Sequence, residues 1–162
     1  DKTVRILDVK YSALSIGDAA DGASLASLQW IALLKSCSAF EPYRQSHTQL
    51  QAWRIADFLL LDRTFPRSVT FCLEQTHAAL QRISGSSAGR PANAAERMLG
   101  RLCADLMYQD IREMLGDLHT YLDTLEARIN DVGDALAQTY FVLNIIPPPD
   151  TSIRYQEAQQ QQ

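Results

Sequence analysis

Apolar positions along the chain recur three and four residues apart, the spacing that places side chains on one face of a helix, and strand-like alternation is absent. The expected fold is all-α, a single bundle of about six helices over residues 1–143 with a separate tail over 144–162. Val4, Leu7, Tyr11 and Leu14 predict a first helix over residues 3–16, ended by Gly17 and Asp18. Ser24 reads as the N-cap of a second helix carrying Leu25, Leu28, Trp30, Ile31, Leu33 and Leu34, which Pro42 separates from the next segment. A third helix is expected over 46–61, where Phe58-Leu59-Leu60-Leu61 is apolar all round and must be enclosed by protein. Pro66 fits the first position of a fourth helix, with Val69, Cys72, Leu73, Thr76, Leu80 and Ile83 as its inward stripe.

Residues 84–91 read as a flexible, protease-sensitive connection, because they are turn and breaker types almost throughout. A fifth helix from about Ala92 places Ala95, Leu99, Leu102 and Leu106 together, and a less regular stretch spans 108–114. The sixth carries an unbroken seam of Leu115, Leu118, Leu122, Leu125, Ile129, Val132 and Leu136, the expected spine of the core or else a dimer interface. After Pro147-Pro148-Pro149 the pattern gives way to glutamines, which predicts an extended or disordered tail.

Composition changes this picture little. Apolar residues make up 46% and charged residues 21%, values of an ordinary folded chain. The net charge of -4 offers no basic footprint for nucleic acid or an anionic membrane, and no window is apolar enough to span a bilayer. The start lacks the features of a signal peptide, and its lack of Met suggests a fragment or a processed chain. Cys37, Cys72 and Cys103 are odd in number, widely spaced and set among apolar neighbours; they read as free core thiols in a reducing, cytoplasmic setting.

Candidate chemistry is sparse. Glu74-Gln75-Thr76-His77 has the Glu-x-x-His spacing of di-iron bundles, but that chemistry needs two copies and the chain has one, so it reads as a solvated helix face. No zinc-protease, P-loop or dinucleotide motif occurs, and no catalytic or metal-binding residue and no cofactor is assigned. The densest cluster runs from Asp57 to Ser68. In one reading Arg63 and Arg67 flank a helix start and bind an anion; in the other Asp62 accepts from that helix N-terminus and pairs with an arginine, the reading we favour because ion pairs at helix junctions are common. Arg97 and Arg101 share a face one turn apart, with Arg112 expected near them and solvation the default. An anion or ligand pocket would require Asp57, Asp62, Arg67 and Arg101 to converge between helices. Trp30, Trp53, Tyr108, Tyr140 and Phe141 read as packing residues.

Arg5-Ile6-Leu7-Asp8-Val9-Lys10-Tyr11, Trp30-Ile31-Ala32-Leu33-Leu34, Asp57-Phe58-Leu59-Leu60-Leu61-Asp62, Phe65-Pro66-Arg67-Ser68-Val69 and Leu118-His119-Thr120-Tyr121-Leu122 resemble, in that order, the bacterial alpha-E family. The resemblance covers about residues 3–141 and implies the C-terminal portion of a longer α-helical domain. It places the family's Glu-Arg motif ahead of Asp1, so that motif's role is carried to no residue here. It further implies a cytoplasmic bacterial protein found beside, or fused to, an ATP-grasp ligase-like protein, often near a transglutaminase-like protease. Two functions are expected on this footing: a non-catalytic helical partner that scaffolds or regulates an ATP-grasp-type amide ligase, with self-association open, or an enzyme or small-molecule binder using the Asp/Arg pocket.

Overall fold

The computed structural model describes residues 2–15, 23–87 and 89–141. These form eight α-helices and one 3-10 turn: α1 Lys2–Ser15, α2 Ala23–Ser36, α3 Phe40–Ser46, α4 Ala52–Leu61, α5 Val69–Ser84, α6 Ala94–Met107, α7 Ile111–Met114, the 3-10 turn Leu115–Asp117 and α8 Leu118–Tyr140. The expected tail and the Gly17-Asp18 stop lie outside the described residues, as do the side chains of Leu14, Ser24 and Leu25.

Five long helices close a ring. α6 packs between α5 and α8, α8 reaches α1, and α1 and α5 both pack on α4. α2 packs on α1 and α4, α3 packs on α2 and sets Tyr43 against Phe58 of α4, and α7 rests on α4. One core fills the ring, from Val4 and Leu7 through Leu33, Ile55, Leu59, Leu60, Leu99 and Leu102 to Leu122. Capping sets where the helices start. Ser68 Oγ accepts from the Phe71 N–H at 3.1 Å, Asn93 Oδ1 from Glu96 N–H at 2.9 Å, and Asp110 Oδ1 from Arg112 N–H at 2.9 Å. Gly85 ends α5 with φ of 70°, a left-handed cap where a side chain would strain the backbone.

The structure corrects several expectations. The run at 46–61 is not one helix: His47 and Gln51 are extended, which divides α3 from α4. Pro42 lies inside α3, within its first turn, where a missing N–H leaves no helical hydrogen bond unmade. Helix α5 starts at Val69 rather than at Pro66, because Ser68 supplies the cap that a proline cannot. Its inward face is Val69, Thr70, Leu73 and Leu80; Cys72, Thr76 and Ile83 face solvent. Thr70 is buried at no cost in polarity, since its hydroxyl donates to the Leu60 carbonyl at 2.9 Å, in the last turn of α4.

The connection after α5 makes specific contacts at its described residues. Ser87 and Arg90 form a backbone bridge, and the Ser86 hydroxyl donates to Glu96 Oε2 at 2.7 Å.

Of the three cysteines only two are core residues. Burial pushes the Cys37 and Cys103 thiols up, Cys103 to about 11 with the nearby Glu74 adding to it, whereas Cys72 is exposed. Because the thiolate is the reactive form, a disulfide-exchange reagent at pH 8 is expected to label one thiol quickly and the other two only on unfolding. Cys72→Ser should abolish the fast phase; a fast phase that survives the substitution contradicts the burial pattern.

Candidate functional site

The four candidate residues fall in three places. Asp57, in α4, and Asp62, its C-cap, lie near each other and near His47, with Asp110 and Arg112 also facing Asp57. Burial raises the Asp57 carboxyl above the usual range, with His47 opposing and Asp110 and Asp62 adding to the rise. Burial acts on Asp62 in the same direction, but hydrogen bonds from Thr64 and Phe65 outweigh it and hold the carboxyl down. Asp62 Oδ1 accepts from the Thr64 N–H at 2.7 Å, the Thr64 hydroxyl at 2.8 Å and the Phe65 N–H at 2.7 Å, the pattern of an Asx turn. The Ser68 hydroxyl donates to the Asp62 carbonyl, so one residue caps α5 and fastens the end of α4. Asp62 thus orders the α4–α5 corner through the Thr64 and Phe65 donors of that turn, and no arginine pairs with it among the described residues.

The arginines go elsewhere. Arg63 pairs with Glu74 at 2.8 Å, which assigns the carboxylate of the Glu-x-x-His segment to an ion pair. Arg67 lies before the start of α5; its carbonyl accepts from the Thr3 hydroxyl at 3.0 Å and its charge acts on Cys37. Arg112 is not beside Arg97 and Arg101: its guanidinium lies 4.9 Å from the centre of the Trp53 ring, with that of Arg54 at 5.0 Å. Trp53 is therefore a cation–π platform between α4 and α7 and not only a packing residue.

Arg101 lines a groove of about 340 Å³ between α5 and α6, shared with His77, Gln81 and Arg97. His77 follows Val69, the first residue of α5, by eight positions, a rise of about 12 Å along the axis. The groove is thus roughly two turns from Arg67, and those two arginines have no common partner among the described residues.

Glu96 is the residue that sequence reasoning passed over. It is only 1% exposed, yet it is charged. Its Oε2 accepts from the Ser86 hydroxyl at 2.7 Å and the Ala92 N–H at 3.0 Å, and its Oε1 from Asn93 Nδ2 at 3.1 Å. Hydroxyl hydrogen bonds from Ser84 and Ser86, with the Ala92 N–H, hold its pKa down to about 2. The signal was present in the sequence: Asn93-Ala94-Ala95-Glu96 is a capping box with asparagine as the cap. Glu96 and Arg97 are also the one adjacent Glu-Arg pair in the chain.

On the opposite side of the bundle, α1 and α8 are clasped by charge. Arg5 Nε meets Glu126 at 2.6 Å, and His119 Nδ1 meets Asp8 at 2.6 Å, with Asp123 3.6 Å from Nε2. The hydrogen bond to Asp8, its charge and those of Asp123 and Asp117 raise the His119 pKa against a small opposing effect of burial. Protonated His119 therefore adds stability that is fully present below its ordinary value of about 6.5 and is lost as pH rises through the higher folded value. The melting-temperature gap between the wild type and His119→Ala is expected to be widest below pH 6 and to close in alkaline buffer. A pH-independent gap would contradict the clasp.

Among comparisons with known proteins, a family model named Alpha-E, described as a predicted alpha-helical domain with a conserved ER motif, matches residues 1–141. No curated protein and no solved structure matches the chain.

Proposed function

The chain belongs to the Alpha-E family, and from that footing we propose that it is a non-catalytic accessory domain which scaffolds or regulates an ATP-grasp-type amide ligase in the bacterial cytoplasm. A transglutaminase-like protease is a second partner of the same setting. The observation that carries the reading is an apolar end of the bundle. The Asn93–Tyr140 hydrogen bond at 3.1 Å brings the start of α6 to the end of α8, and the Ser86–Glu96 bond brings the end of α5 to the same place. There Ile83 is 68% exposed, Phe141 80% and Tyr140 39%. Exposed large apolar and aromatic side chains are the usual anchors of a protein interface. None of the described helices is long and apolar enough to cross a membrane.

Co-expression with an ATP-grasp-type ligase encoded in the same genome tests the reading. Tagged chain is expected to retain the ligase and to change its rate of ATP-dependent amide formation, and Ile83→Asp with Phe141→Asp should lower recovery at least tenfold. Separate elution, with ligase turnover indifferent to the chain, would overturn it.

A further inference from the structure

The geometry points to a second site: the α5–α6 groove binds the oxyanion of a small ligand, a phosphoryl or carboxylate group, between Arg97 and Arg101. This goes beyond the accessory role and does not depend on it. Arg97 and Arg101 stand four residues apart on the exposed face of α6, which places them on one side one turn apart. Arg5, Arg63 and Arg128 each pair with a carboxylate. Arg97 and Arg101 have no such partner among the described residues, although both line a concave space of about 340 Å³. Two guanidiniums with unused forked donors at the mouth of a groove match the planar, multidentate geometry of carboxylate and phosphate.

The rest of the lining agrees with an anion. His77 and Gln81 of α5 face the same space, and neither side chain has a hydrogen-bond partner among the described residues. The single carboxylate in the lining, Glu96, has its oxygens occupied by Ser86, Ala92 and Asn93, and it stays ionised down to about pH 2. Its negative charge is therefore turned toward those donors, and the groove keeps an excess of positive charge. Arg101 also borders a smaller groove, of about 170 Å³, toward α8, where Asp131 is the acidic neighbour and Arg128 is taken by Asp105. Gly100 supplies an independent sign that the α5 side is shaped for the imidazole. A Cβ there would stand 3.2 Å from His77 Nε2 and 3.4 Å from Cε1 and would crowd the ring by a few tenths of an ångström, so a glycine in mid-helix, a costly choice for a helix, leaves the imidazole room against α6 beside both arginines.

Titration of the isotopically labelled full chain with inorganic phosphate, and separately with free glutamate, at low ionic strength tests the site by NMR. Saturable shifts are expected at Gly89, Gly100 and the His77 ring, and Arg97→Ala with Arg101→Ala should weaken binding at least tenfold. Arg44→Ala, on α3, should leave it unchanged. Tighter binding of phosphate identifies a phosphoryl ligand, and tighter binding of glutamate a carboxylate. Unsaturable shifts spread over the surface, or a double variant that binds as well as the wild type, would overturn the proposal. Both substitutions are at exposed positions, and an unchanged circular dichroism spectrum separates loss of binding from loss of fold.

Discussion

Leu122→Ala is expected to destabilise the bundle by about 2–5 kcal/mol, a fall in melting temperature of roughly 5–15 °C. Leu122 is 1% exposed and lies on α8, which faces α6 on one side and α1 on the other. A cavity at so buried a position is not refilled cheaply, because Leu118 and Leu125, the seam residues on either side of it along α8, are themselves 3% exposed and cannot move in without opening their own gaps. Leu28→Ala provides the internal control: Leu28 is 60% exposed, and its truncation should change stability by less than about 0.5 kcal/mol. Equal effects from the two substitutions, measured by urea unfolding, would mean that the α8 seam is not the spine of this core.

Removing the Glu96 carboxylate should have a comparably large effect through a different route. Glu96→Ala leaves the Ser86 hydroxyl, the Ala92 N–H and the Asn93 amide without their shared acceptor, and it also removes the capping-box partner that starts α6. The expected outcome is a melting temperature lower by several degrees, with faster proteolysis in residues 84–93. Because the folded pKa of about 2 lies below the ordinary 4.5, this stabilisation is complete above pH 4.5 and is lost as pH falls toward 2. Glu96→Gln should therefore flatten the acid limb of the stability curve over that window. An unchanged acid limb in the glutamine variant would show that the carboxylate carries no net stabilisation.

How much of the fold and the candidate site was legible in the sequence varied with what each position packs against. The α8 seam could be read directly, since Leu118, Leu122, Leu125 and Val132 keep the helical spacing and are buried, with Ile129 and Leu136 partly so. The stripe on α5 could not. Its seam runs through His77, which lies against Gly100 in place of an apolar residue, while Cys72 and Ile83 are apolar types that face water. Hydropathy ranks residues one at a time and cannot see that a glycine on another helix has made room for an imidazole. Pro42 and Pro66 misled for a related reason: a proline is compatible with a turn, a first helical turn or a helix boundary, and the neighbouring cap decides among them. The buried charge of Glu96 ran against the ordinary expectation that glutamate faces solvent, and only the Asn93-x-x-Glu96 spacing hinted at it. The candidate residues Asp57 and Asp62 are close in sequence and in space, whereas the setting of Arg67 depended on its approach to Thr3 and Cys37 and that of Arg101 on how α5 pairs with α6, which no local pattern reports.

Hydrogen exchange of the chain, alone and mixed with an ATP-grasp-type ligase, bears most directly on the proposal that the apolar end of the bundle is a docking surface. Slowed exchange is expected in the last turn of α5 around Ile83 and in the last turn of α8 at Tyr140, with the α3 surface unaffected. Identical exchange with and without the ligase, at concentrations where both proteins are folded, would contradict it.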